Sequence, residues 1–112
     1  MQFLLIVLNK VELLDTLLQQ LMDNGIHGAT IINSTGMIKE LAKANVNSPI
    51  VGALRYLIDP DREESKTIFI VLQDDHVEIA KQTVRQVVGD ISQPDTAVMF
   101  TLPVLSVEGI EL

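Results

Sequence analysis

The chain has no cysteine and no tryptophan, and its aromatic side chains are three Phe and one Tyr. Without thiols there is no disulfide, no thiolate nucleophile, no iron–sulfur ligand and no Cys-based zinc site. Cations are scarce too. Eight Lys and Arg face fifteen Asp and Glu in 112 residues, giving a formal charge of −7 and a pI near 4.6. A surface with that excess repels phosphate backbones, which argues against nucleic-acid binding. Long apolar runs are missing: the longest, Phe3 to Leu8, is far short of the roughly 20 residues that span a bilayer. It also lacks the basic start and small-residue cleavage site of a secretion signal. The expectation is one cytoplasmic globular domain over 1–112, with no membrane insertion. At 47% hydrophobic it can build a core without staples.

What is present is a set of alternating periodicities. Gln2 to Leu8 is an apolar run ended by Asn9-Lys10 and reads as a buried strand. From Val11 the spacing changes to three and four, through Leu14, Leu18, Leu21 and Met22, which predicts an amphipathic helix stopped at Asp23-Asn24-Gly25. Ala29 to Asn33 reads as a second strand rich in β-branched residues, and Thr67 to Leu72 as a third. Asp74-Asp75 reads as an N-cap with favourable negative charge for a helix striped by Val77, Ala80, Val84, Val87 and Val88 and ended by Gly89. Ala97 to Leu102 is a fourth strand, stopped by Pro103. The predicted fold is α+β: a ferredoxin-like βαββαβ sandwich, with a four-stranded antiparallel sheet, two helices on one face and a long loop between strands two and three.

Two features exceed that minimal fold. Strands one and three are apolar at nearly every position, whereas a sheet covered on one face should alternate. Both long helices belong to one face, so the other face needs a cover, and sister copies of the chain in a closed oligomer are the simplest one. The alternative is that the interval's own apolar residues fold over the sheet. The interval itself, Ser34 to Lys66, is longer than the connections usual in compact domains. It contains a predicted short helix after Gly36, an apolar stretch from Pro49 to Ile58 readable as strand or helix, and a charged turn from Asp59 to Glu64. Lys39, Lys43, Arg55, Arg62 and Lys66 balance Glu40, Asp59, Asp61, Glu63 and Glu64 there, so the remaining body carries the whole negative charge. A neutral, partly apolar arm on an acidic body suits contact with a partner; an excursion packed on its own subunit fits the same residues.

Candidate chemistry is sparse. His27 and His76 stand in no HxH or HExxH spacing and read as turn or capping residues, leaving no metal site within one chain. Asp74-Asp75-His76 is explained by helix capping. No GxSxG, GxxxxGK[ST] or GxGxxG can be written, and the serines Ser34, Ser48, Ser65, Ser92 and Ser106 sit at turns or element ends. An enzyme is not expected. Gly36 after strand two and Gly89-Asp90 after helix two are the two places where backbone amides can turn outward to receive a small ligand at a subunit boundary, although glycine turns need no such role.

The order of these features resembles the PII nitrogen-regulatory signalling proteins over essentially the whole chain. The residues that carry the resemblance are the first strand ending at Asn9-Lys10, the turn from Gly25 to Thr30, Thr35-Gly36 opening the long loop, Gly52-Ala53 and Tyr56 within it, Lys66 to Val71, and Phe100 to Val104. The resemblance implies a homotrimer that binds small effectors between subunits and docks on a protein target through its loop. Thr35, Gly36, Met37, Gly89, Asp90, Ile91 and Gln93 would then border the cleft, and Lys39, Lys43, Arg55 and Tyr56 would serve the partner-binding loop. The family's basic phosphate contacts have no counterpart here. Gly89 to Thr96 and Leu105 to Gly109 hold no Lys or Arg and add Asp90, Asp95 and Glu108. An adenine nucleotide is therefore disfavoured, and no cofactor is expected. Other readings of the same fold are an ACT-like small-ligand domain, whose copies pair as side-by-side dimers, and a CutA-like metal-responsive trimer.

Overall fold

A computed structural model describes residues 1–44, 48–54 and 64–111. The chain has a ferredoxin-like α+β fold. Its strands are β1 (Gln2–Leu8), β2 (Thr30–Asn33), β3 (Lys66–Leu72) and β4 (Ala97–Pro103), and its helices are α1 (Leu14–Asp23), α2 (Met37–Lys43), α3 (Pro49–Leu54) and α4 (Asp74–Val88). The sheet order is β2-β3-β1-β4 with every pairing antiparallel, so the two apolar strands β1 and β3 lie at its centre.

One face of the sheet supplies the core. Leu4, Ile6 and Leu8 of β1 and Ile68, Ile70 and Leu72 of β3 pack with Leu17 and Leu21 of α1 and with Val77, Ala80, Val84 and Val88 of α4. The helices are tied to each other by Asn24, whose amide donates to Thr83 Oγ1 at 2.9 Å, while the Thr83 hydroxyl donates to Ile79 O at 2.8 Å. Thr83 is buried, and without those bonds its hydroxyl would lack a partner. Among the described residues no buried side-chain nitrogen or oxygen is left unpaired.

The local stops follow the sequence, with two corrections. Gly25 takes φ +90, and the N–H groups of Gly25 and Ile26 return to Met22 O (3.0 Å) and Leu21 O (2.9 Å), which closes α1 in the double-bonded glycine stop of many helices. Gly89, at φ +87, ends α4. Val11 does not open the α-helix: Val11–Leu13 form a 3₁₀ turn, and α1 starts at Leu14. Asp74 and Asp75 do not cap α4 either. The N-cap is Gln73, which makes no side-chain cap bond, and both aspartates lie in the first turn. Asp74 instead receives the Met1 ammonium at 3.1 Å and the Gln2 amide at 3.3 Å, and Asp75 faces His76 Nδ1 at 3.2 Å. These aspartates act on α4 through the helix dipole and not as hydrogen-bonded caps.

The short helix expected after Gly36 is α2, and the described part of the Pro49 to Ile58 stretch is the helix α3, with Pro in the first helical position, where its missing N–H costs nothing. The two pack on each other and make at most marginal contact with the sheet or the long helices. The radius of gyration is accordingly 15.6 Å and the longest dimension 48 Å, against roughly 13 Å for the radius of a compact chain of about this length. The charged turn expected from Asp59 to Glu64 lies, up to residue 63, outside the described residues, as does Arg55 to Ile58 before it.

Candidate functional site

Among the described residues, the second face of the sheet has no long helix packed on it. Alternation and register place Phe3, Leu5 and Val7 of β1, Thr67, Phe69 and Val71 of β3, and Val98, Phe100 and Leu102 of β4 together on it. Thr30 and Ile32 of β2 extend it beside Phe69 and Thr67. No charged side chain stands among these positions, on a chain with a net charge of −7. Phe3 and Phe69 stack with ring centroids 5.5 Å apart. Val98 is 46% exposed, Phe100 53% and Leu102 48%, so the long helices cover one face, while among the described residues the other is left partly exposed except at Thr67, which Ser34 contacts. Strand spacing and rise give the face roughly 400 Å², the size at which apolar patches mark interaction sites.

The two sheet edges continue this surface. β4 presents Ala97-Val98-Met99-Phe100-Thr101-Leu102-Pro103, with no charge along it, and β2 presents Thr30-Ile31-Ile32-Asn33, exposed at every position. Soluble proteins usually blunt such edges with Lys, bulges or a cover. An unblunted edge is a template for another chain.

The arm leaves the sheet through a knot of hydroxyls. The N–H of Ser34 donates to Ser65 O at 2.9 Å, and the Ser34 hydroxyl sits 2.8 Å from Ser65 Oγ and 2.7 Å from Thr67 Oγ1. Ser65 and Thr67 are buried, so this clip fixes where the arm starts. Beyond it Thr35, Gly36 and Met37 enter α2, with Gly36 in an extended N-cap conformation and Met37 75% exposed. Lys43 pairs with Glu64 across the base of the arm. Lys39 lies on α2, whereas Arg55 and Tyr56 fall outside the described residues.

The other candidate turn is organised by Asp90. Its carboxylate accepts the Ser92 hydroxyl at 2.6 Å and the Ser92 N–H at 3.0 Å, with the Gln93 amide at 3.5 Å. Those bonds, the Ser92 hydroxyl foremost, hold the Asp90 carboxyl below its ordinary value. Ile91 packs against the core beside this turn. Gly89–Gln93 and Thr35–Met37 lie at the same end of the sheet but at opposite edges, since one precedes β4 and the other follows β2. Three strand spacings, about 14 Å, separate those edges. A single cleft bordered by both turns therefore takes the β2 edge of one chain and the β4 edge of another.

A feature not foreseen from the sequence lies at the opposite end of the sheet. β2 stops at Thr30, opposite Phe69, while β3 continues beside β1 to Leu72. The overhang of Ile70–Leu72 borders a groove of about 780 Å³ that brings together His27 and His76, 49 positions apart in sequence. The one available signal was the shortness of the second strand after two glycines. Among the described residues no group of three or more His, Asp or Glu side chains is arranged to hold a metal ion, and no helix is long and apolar enough to cross a membrane. No protein-family model matches the chain, and no curated protein matches it.

Proposed function

We propose that this chain is a PII-like regulatory protein of the cytoplasm, not an enzyme, which works as a closed homotrimer and contacts a protein target through the arm from Ser34 to Lys66. The observation that carries this reading is the uncharged apolar face of the sheet. In water it is costly, at about 25 cal/mol for each Å² that stays wet; turned inward in a ring of three it is buried by sister chains. A stable interface takes roughly 800 Å² from each partner, more than the face supplies, so the unblunted β2 and β4 edges join it. That pairing of edges brings Thr35–Met37 of one chain to Gly89–Gln93 of the next, where a small effector has a cleft to occupy. Within it, α2 and α3 present Met37 and Ile50, both largely exposed, on a stretch of balanced charge. A side-by-side dimer of the ACT-like kind is the second reading, and the uncharged edge of β4 favours it.

The absence of native cysteine makes a direct test simple. A Phe100→Cys variant should react with a maleimide slowly in native buffer and rapidly in urea, because sister chains cover the face. Equal, fast labelling in both conditions contradicts the reading. Isothermal titration with ATP and ADP should show no micromolar binding, given Asp90, Asp95 and Glu108 where cations would be needed.

A further inference from the structure

The groove at the far end of the sheet has the construction of a strand-acceptor site. The overhang Ile70–Leu72 is paired on its β1 side and, among the described residues, has no strand on the other. Alternation sends its side chains to both faces, so apolar walls stand on each: Phe3, Phe69 and Val71 on the open side, Ile26 on the core side. An added strand would gain main-chain hydrogen bonds from the overhang and seat alternate side chains on those walls.

We propose that this groove is filled by the chain's own C-terminal segment, Ile110 onward, which closes on Ile70–Leu72 as a short fifth strand. Four observations select that occupant. Ile110 and Glu111 already border the groove, without strand structure of their own. From Leu105 to Glu108 the tail alternates apolar and polar residues, and Gly109 separates this run from Ile110-Glu111. The chain otherwise leaves the tail's apolar side chains in water, Leu105 at 97% exposure and Ile110 at 51%. The polar groups also match: the imidazoles of His27 and His76 border the groove and Glu111 is the carboxylate brought beside them, with His76 Nδ1 already facing Asp75 at 3.2 Å.

The reach is sufficient. Val104 is anchored beside the start of β1 by its N–H donating to Met1 O at 3.2 Å. The outer edge of β3 lies two to three strand spacings away, about 10–14 Å, and residues 105–109 extend to about 17 Å. The tail thereby acts as a strap that blunts an edge otherwise open to any extended apolar segment.

Hydrogen exchange tests this on the full chain, an Ile110→Asp variant and a chain ending at Gly109. Along Ile70–Leu72, the amides that point away from β1 should exchange at least tenfold faster in both altered chains, while those bonded to β1 and those of Leu4 and Ile6 keep their native rates. Adding the synthetic peptide of residues 105–112 to the shortened chain should restore slow exchange, and the same peptide with Asp in place of Ile110 should not. Equal exchange at Ile70–Leu72 in all three chains, or equal rescue by both peptides, overturns the proposal. The proposal does not rest on the trimer, and light scattering on the same samples separates loss of the strap from loss of an assembly.

Discussion

Along β1, Leu4, Ile6 and Leu8 alternate with Phe3, Leu5 and Val7, and the two sets are equally apolar. The first set is sealed under α1 and α4; the second stays partly exposed. Composition does not distinguish these faces, and only the supply of helices does. An apolar face that the described residues leave uncovered points to a partner, whereas the covered face explains why the chain folds at all.

Mutation should separate the two faces by the kind of effect as well as its size. Ile6→Ala removes a fully buried side chain from the covered face and should cost about 3–4 kcal/mol in urea unfolding, equally at every protein concentration. Phe100→Arg, on the open face, should leave the folded chain intact but abolish association, so that the unfolding midpoint loses its dependence on protein concentration. An unfolding midpoint of the native chain that is already independent of concentration would break the comparison. Thr83→Val keeps the shape of the α1–α4 contact but leaves Asn24 without its acceptor, for a loss of about 1 kcal/mol.

The smallest effect belongs to two exposed carboxylates. The Met1 ammonium and the Gln2 amide hold the Asp74 carboxyl below its ordinary value, as the Ser92 and Gln93 donors hold Asp90. A folded-state pKa below the unfolded one stabilises the fold above the unfolded value, near ~4, and that contribution disappears as pH falls through the lowered folded value. Asp74→Asn and Asp90→Asn should therefore be slightly less stable than the native chain at pH 6, with the gap closing in acid. Urea midpoints measured from pH 6 down to pH 2 check this; a gap that widens in acid contradicts the assignment.

Much of this was legible from spacing. β1 matches its apolar run at both ends, because Asn9-Lys10 breaks the run and the strand together. Gly25 and Gly89 mark helix ends that need positive φ. Asp74-Asp75 misled because a cap depends on backbone position: Gln73 takes that place, and the aspartates find the chain's own ammonium and a histidine instead. The Pro49 stretch was ambiguous because six apolar residues fit either period. The far-end groove was not legible, since it arises from the register between β2 and β3 and from a tail that returns across the sheet, and neither is written in local pattern.

The claim on which the functional reading depends is that copies of this chain shield one another's bare sheet. Multi-angle light scattering at micromolar concentration measures this most directly. The account predicts a single species of about 37 kDa, three chains closing the ring. A monodisperse species at the 12.4 kDa of one chain would contradict it.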